Sequence, residues 1–110
     1  MSGGRASREK GNRAERHLVR LLQDAGFGAE RIPLSGAAGG KFSGDLSVPL
    51  LGIDRTAEVK CRADGFRELY SWLADHSLLV VKADRREPLV VVPWRFALEL
   101  ATAAEKGRNR

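Results

Sequence analysis

Residues 44–61, GDLSVPLLGIDRTAEVKC, read as two β-strands, about 45–51 and 55–61, joined by a turn around Gly52. In an extended chain successive side chains leave opposite faces. Glu58 and Lys60 therefore share one face of the second strand, while Ala57, Val59 and Cys61 share the other. The apolar face suits a core, and Cys61 on it reads as a small core residue rather than a nucleophile. The charged face demands a separate reason.

Upstream, residues 7–25 have helical periodicity and end at Gly26, a suitable C-cap. At 100° per residue, Ala14, Leu18, Leu21, Leu22 and Ala25 fall on one arc, and Arg13, Arg16 and Arg20 gather opposite. Glu15 projects between Leu22 and Val19, where a carboxylate is costly to bury unless something pairs with it. A short strand over 30–34 follows. Next comes the loop SGAAGGKFSG, whose glycines let the backbone approach a ligand closely. It is not a phosphate-binding P-loop: aligned on Gly40-Lys41, the first glycine would be Ser35 and the hydroxyl residue Phe42.

Downstream, DGFRELYSWLADH places Phe66, Leu69, Tyr70 and Leu73 at helical spacing, with Trp72 at the margin of the stripe. SLLVVKA and PLVVVP are short apolar runs expected of strands covered on both faces, with a hairpin turn at DRRE between them. A last helix runs from Trp94 to about Glu105. The order is helix, three strands, helix, two strands, helix. Strand three, helix two and strand four make a crossover unit with parallel strands, and the neighbouring hairpins are antiparallel. The expected fold is α/β, a mixed central sheet flanked by helices.

At 110 residues the chain suits one domain, 1–110, with residues 1–6 and 106–110 expected to be disordered. Whatever it recognises, it recognises with the surface that carries its chemistry. The 19 Lys and Arg against 14 Asp and Glu give a net charge of +5, which fits a polyanionic partner. The excess is concentrated before residue 21, where six basic residues meet two acidic ones. A single cysteine excludes an intrachain disulfide, and nothing around it has zinc-ligand spacing. No apolar run reaches the roughly 18 to 20 residues of a membrane span, and the N-terminus has no signal-peptide core. A cytoplasmic protein without a membrane association is expected.

Three carboxylates stand in awkward places: Glu15 in a helix stripe, Asp45 at a strand start and Glu58 within the next strand. Asp45 and Glu58 lie on adjacent strands of the hairpin, and a hard cation such as Mg²⁺ is typically held by one or two carboxylates plus waters and phosphate oxygens. Lys60, on the same face as Glu58, sets a positive charge beside such an ion and an incoming phosphate. These are the parts of phosphodiester hydrolysis. The plainer reading is a solvated strand face, a turn residue and a rim glutamate, since exposed charge pairs are common. The glycine-rich loop with Lys41, the arginine face with Arg13 and Arg16, and Arg62 beside the strand favour a nucleic-acid surface over that reading. His17 and His76 have no partner at ligand spacing.

GD followed, thirteen residues after the aspartate, by EVK resembles the PD-(D/E)XK nuclease signature, and the αβββαβ order is that superfamily's core. KGNRAERHLVRLLQDAGFGAERIPLSG, SGDL and AEVKCR together resemble the archaeal-type Holliday-junction resolvases and related small phage and bacterial endonucleases, over about residues 9–93. The resemblance implies a single nuclease domain in which Glu15, Asp45, Glu58 and Lys60 are catalytic. Asp45, Glu58 and the Val59 carbonyl would ligate Mg²⁺, or Mn²⁺ in its place, with Glu15 a candidate to complete or tune the site. Lys60 would assist the attacking water, and Arg31 and Ser35 would touch the scissile phosphate. It further implies DNA as partner, branched DNA among the candidates, a homodimer, no nucleotide cofactor, and work in recombination, repair or phage DNA processing. Gly44 stands where the motif's name has proline. The alternatives are a non-cleaving nucleic-acid-binding module of the same fold and a plain interaction domain.

Overall fold

The computed structural model describes residues 3–33 and 44–109, with side chains from residue 8 onward. Its elements are α1 (Gly3–Asp24), β1 (Glu30–Arg31), β2 (Leu46–Leu50), β3 (Ile53–Ala57), α2 (Arg67–Leu73), β4 (Leu79–Val81), β5 (Leu89–Val91) and α3 (Trp94–Arg108). This is an α/β chain with the element order read from the sequence. It divides into two compact units, Met1–Cys61 and Arg62–Arg110.

In the first unit α1 stops for a reason written in its last residues. Gly26 adopts φ +98°, open to glycine at little cost. The Phe27 N–H then reaches back to the Leu22 carbonyl (2.9 Å) and the Gly26 N–H to that of Gln23 (3.0 Å), a Schellman motif. Leu22 and Phe27, the two positions whose side chains that motif brings together, are both buried, and with Ala29 and Leu46 they form the core. Gln23 adds a bond from its side-chain amide to the Ala29 carbonyl (3.0 Å). The arginine face of the helix is exposed, as the periodicity requires; Ala25, at the end of the apolar arc, is exposed too.

β2 is the middle strand of a three-stranded antiparallel sheet in the order β1-β2-β3. Its register with β3 runs from Leu46↔Ala57 to Leu50↔Ile53, so the turn has two residues, Leu51 and Gly52. Both have positive φ, +56° and +80°, the signature of the type I′ turn whose twist matches that of the flanking strands. β1 pairs only Glu30↔Ser47 and Arg31↔Leu46. Pro49 lies two residues further along β2, where a Cβ on Gly28 would come within 3.7 Å of its ring, and a proline has no N–H to extend the ladder there.

In the second unit β4 and β5 form an antiparallel hairpin, Leu79↔Val91 to Val81↔Leu89. α2 is a short helix flanked by two residues of positive φ, Phe66 and Ala74. α3 begins directly after Pro93 and carries Lys106 and Arg108 in its last turn, where cations suit the helix dipole. The expected covering of β4 and β5 on both faces is not found: Val80, Leu89 and Val90 are exposed, because a two-stranded ladder has too little sheet to be sandwiched. One further difference concerns pairing. Every ladder among the described residues is antiparallel and joins strands of the same unit, so the parallel pairing expected of strands three and four is not among them.

Candidate active site

The site is built around Asp45, which is held at three points. Its N–H donates to the Ala57 carbonyl (2.8 Å) and its carbonyl accepts from the Ile32 N–H (2.9 Å). Ala57 is the ladder partner of Leu46, so two consecutive residues, Asp45 and Leu46, face one residue of β3 in the manner of a β-bulge, a device that re-aims a side chain. The third point is the side chain itself: Oδ2 accepts the Val59 N–H at 2.7 Å. Val59 lies between Glu58 and Lys60, so the aspartate is tied to the backbone of the EVK segment.

This bond changes the reading of that segment. β3 ends at Ala57, and 58–61 are not ladder residues although the strand was expected to reach Cys61. The Val59 N–H, which a longer hairpin would give to the main chain of β2, goes to a carboxylate instead. The alternation of faces nevertheless persists through Lys60: Ala57 and Val59 are half-buried, and Glu58 and Lys60 are exposed with Glu58 Oε2 3.5 Å from Lys60 Nζ. Cys61 is exposed, not a core residue: the alternation that outlasts the ladder stops at Lys60.

Gly44, immediately before the aspartate, has φ +110°. Proline, locked near −65°, could not take that backbone, so the glycine in the motif's proline position answers to local geometry. A Cβ there would also sit 3.3 Å from the Ala57 carbonyl oxygen and from Thr56 Cβ.

Glu15 is placed differently from the other carboxylates. Its Oε1 accepts from Arg31 Nε at 3.1 Å, and it is the least exposed partner of that ion pair. Arg31 Nη2 also donates to Asn12 Oδ1 (2.8 Å), a residue the sequence reading passed over. Its signal was available: Asn12 lies three residues before Glu15, on the same side of a helix. Among the described residues no group of three or more His, Cys, Asp and Glu could hold a metal ion, so Glu15 does not join Asp45 and Glu58 in one cluster. Arg13 and Arg16 are exposed on α1; Arg62 is exposed and belongs to the second unit. Ser35 and Lys41 lie outside the described residues.

The sequence matches the family of the archaeal Holliday junction resolvase, Hjc, over residues 6–64, more than half of the chain. The chain belongs to the Hjc family. Hjc proteins fall within the PD-(D/E)XK nuclease superfamily, and membership makes this chain a Holliday-junction resolvase-like nuclease in general type. The Hjc match takes in all but the first three residues of α1, the three-stranded sheet and the EVK segment and ends at 64, so residues 65–93, where the resemblance is expected to continue, lie beyond it. Comparisons with curated proteins and with solved structures find no match. Among the described residues, no helix is long and apolar enough to cross a membrane.

Proposed function

We propose that this protein is a metal-dependent DNA endonuclease that hydrolyses phosphodiester bonds at branched DNA, the four-way junction first, in recombination, repair or phage DNA processing. The observation that carries the reading is the bond from Val59 N–H to Asp45 Oδ2, which ties the aspartate and the EVK segment into one constellation. Family membership supports the substrate class.

The donor set suits a hard divalent cation. Asp45 and Glu58 supply carboxylate oxygens and Val59 a main-chain carbonyl, and Mg²⁺ needs only one or two carboxylates because it keeps several waters. Glu15, paired with Arg31, stands as a tuning group rather than a ligand in this arrangement. When bound, the ion would polarise the phosphate and favour the attacking water. The chain's own residues do the rest. Asp45 holds its orientation through three hydrogen bonds. Lys60 places an ammonium group beside the phosphate, where negative charge develops as the water oxygen bonds to phosphorus and the bond to the leaving sugar oxygen breaks. Arg13, Arg16 and Arg62, with Lys41 of the glycine-rich loop, supply phosphate contacts that position DNA without reading bases.

A four-way junction needs two coordinated cuts, and a two-fold homodimer supplies them. Trp72 and α2 are the proposed interface, Trp72 being exposed as such a role requires. We place the protein in the cytoplasm, where an exposed Cys61 stays reduced. The test incubates the full chain with a labelled four-way junction, a linear duplex and single-stranded DNA, in Mg²⁺, in Mn²⁺ and in chelator. Metal-dependent cutting of the junction, lost in Asp45→Ala and Glu58→Ala, is expected. DNA binding without cleavage under every metal would favour a non-cleaving module.

A further inference from the structure

We propose that Asn12 and Arg31 form a fork whose task is to position Glu15 for the hydrolysis, an inference that rests on the nuclease reading above. Arg31 meets two acceptors one turn apart on α1: Nε donates to Glu15 Oε1 at 3.1 Å and Nη2 to Asn12 Oδ1 at 2.8 Å. A guanidinium only donates, so the oxygen of the Asn12 amide, and not its nitrogen, must face it. Two bonds to a planar group fix its orientation as one could not, and a lysine, whose ammonium is a point charge, would not reproduce them.

The fork is tied to the aspartate through the chain. Arg31 is followed by Ile32, whose N–H donates to the Asp45 carbonyl at 2.9 Å. Glu15 is thus connected to Asp45 by one hydrogen bond, one peptide step and a second hydrogen bond, and Asp45 in turn to Val59. β1, only two residues long, is the strut that registers α1 against the rest of the site. Arg31 commits two of its five donors to this helix, and the role proposed for it is to hold Glu15 rather than to touch the scissile phosphate, a distinction the salt dependence below decides. Residues that orient the reacting groups through a hydrogen bond typically matter 10- to 100-fold (roughly) in rate or metal affinity. Asn12, which touches neither DNA nor metal in this scheme, therefore matters through the angle at which it keeps the guanidinium.

The test separates positioning from phosphate contact. Single-turnover cleavage of a four-way junction at saturating protein in Mg²⁺ is compared for wild type, Asn12→Ala, Asn12→Asp and Arg31→Gln, with junction affinity measured across salt in chelator. Asn12→Ala should cut roughly 10- to 100-fold more slowly at unchanged affinity. Asn12→Asp, which keeps an acceptor oxygen, should recover most of that rate. Arg31→Gln should leave the slope of log affinity against log salt unchanged, whereas loss of a phosphate contact would lower it by about one. Independently of cleavage, the Arg31 Nε–H should exchange slowly with solvent by NMR in wild type and faster in Asn12→Ala. Cleavage by Asn12→Ala at the wild-type rate, a lowered salt slope for Arg31→Gln, or equal Nε–H exchange would each overturn the inference. A wild type that cuts no junction would instead remove the nuclease reading, and the catalytic use of the fork with it.

Discussion

The carboxylate of Asp45 accepts the main-chain N–H of Val59 at 2.7 Å, so a side chain does what a sheet ladder would otherwise do. The bond has a structural and a chemical consequence that substitutions can separate. Asp45→Ala leaves a partly buried N–H unpaired and should cost about 1–3 kcal/mol in a urea melt. Asp45→Asn keeps an acceptor oxygen and should cost less than half as much. Cleavage should fall at least about 100-fold in both, since neither retains the charge a divalent cation requires. An asparagine variant that cuts at the wild-type rate would assign Asp45 to folding alone.

Gly44 holds the aspartate's main chain in a conformation that other residues enter with strain. With φ +110° and space for a Cβ only at 3.3 Å from Ala57 O, Gly44→Ala should lower stability by about 1–2 kcal/mol. Gly44→Pro, which restores the proline of the motif's name, should be worse, because its ring excludes this φ altogether. Both are checked by chemical denaturation beside cleavage assays. A proline variant as stable as wild type would mean that 44–45 can adopt another backbone.

What could be read from the sequence was local, and what could not was held at a distance. The apolar arc of α1, its stop at Gly26, the turn at Gly52 and the order of elements follow from periodicity and turn chemistry within a few residues of each other. The end of β3 at Ala57 follows from a carboxylate fourteen residues before Val59, which no strand pattern contains. A core position for Cys61 needs the alternation to run one residue beyond Lys60, where no ladder holds the chain. The candidate site shows the same division. Asp45, Glu58 and Lys60 were singled out by spacing and family likeness, while the commitment of Arg31 to α1 needs a contact across nineteen residues to Asn12.

Leu51 offers a change that should stabilise the protein. It occupies the first central position of the type I′ turn at φ +56°, which costs an L-residue with a branched side chain roughly 1 kcal/mol, and it is exposed. Asparagine tolerates that conformation and is favoured there, with glycine already in place as the second central residue. Leu51→Asn should raise stability by about 1 kcal/mol and the melting temperature by roughly 4–6 °C. Cleavage should be unchanged, the turn lying at the far end of the hairpin from Asp45. A lowered melting temperature would show that packing of the leucine outweighs its backbone strain.

Glu58 and Lys60 give the sharpest separation of function from folding. Their side chains are 3.5 Å apart but 58% and 60% exposed, so screening leaves the pair worth little, on the order of 0–1 kcal/mol. Glu58→Gln and Lys60→Met should therefore melt within a degree or two of wild type. If the pair exists for chemistry, each should nonetheless cut a four-way junction at least about 100-fold more slowly, a loss comparable to removing one charge-stabilising group from a hydrolytic site. Junction affinity in chelator adds a second axis. Glu58→Gln removes a negative charge and should bind DNA as tightly as wild type or more tightly, while Lys60→Met should bind slightly more weakly, its salt slope lower by about one if the ammonium meets a phosphate. Variants that keep full cleavage would return the pair to what exposed charges usually are, a solvated face beside a strand end.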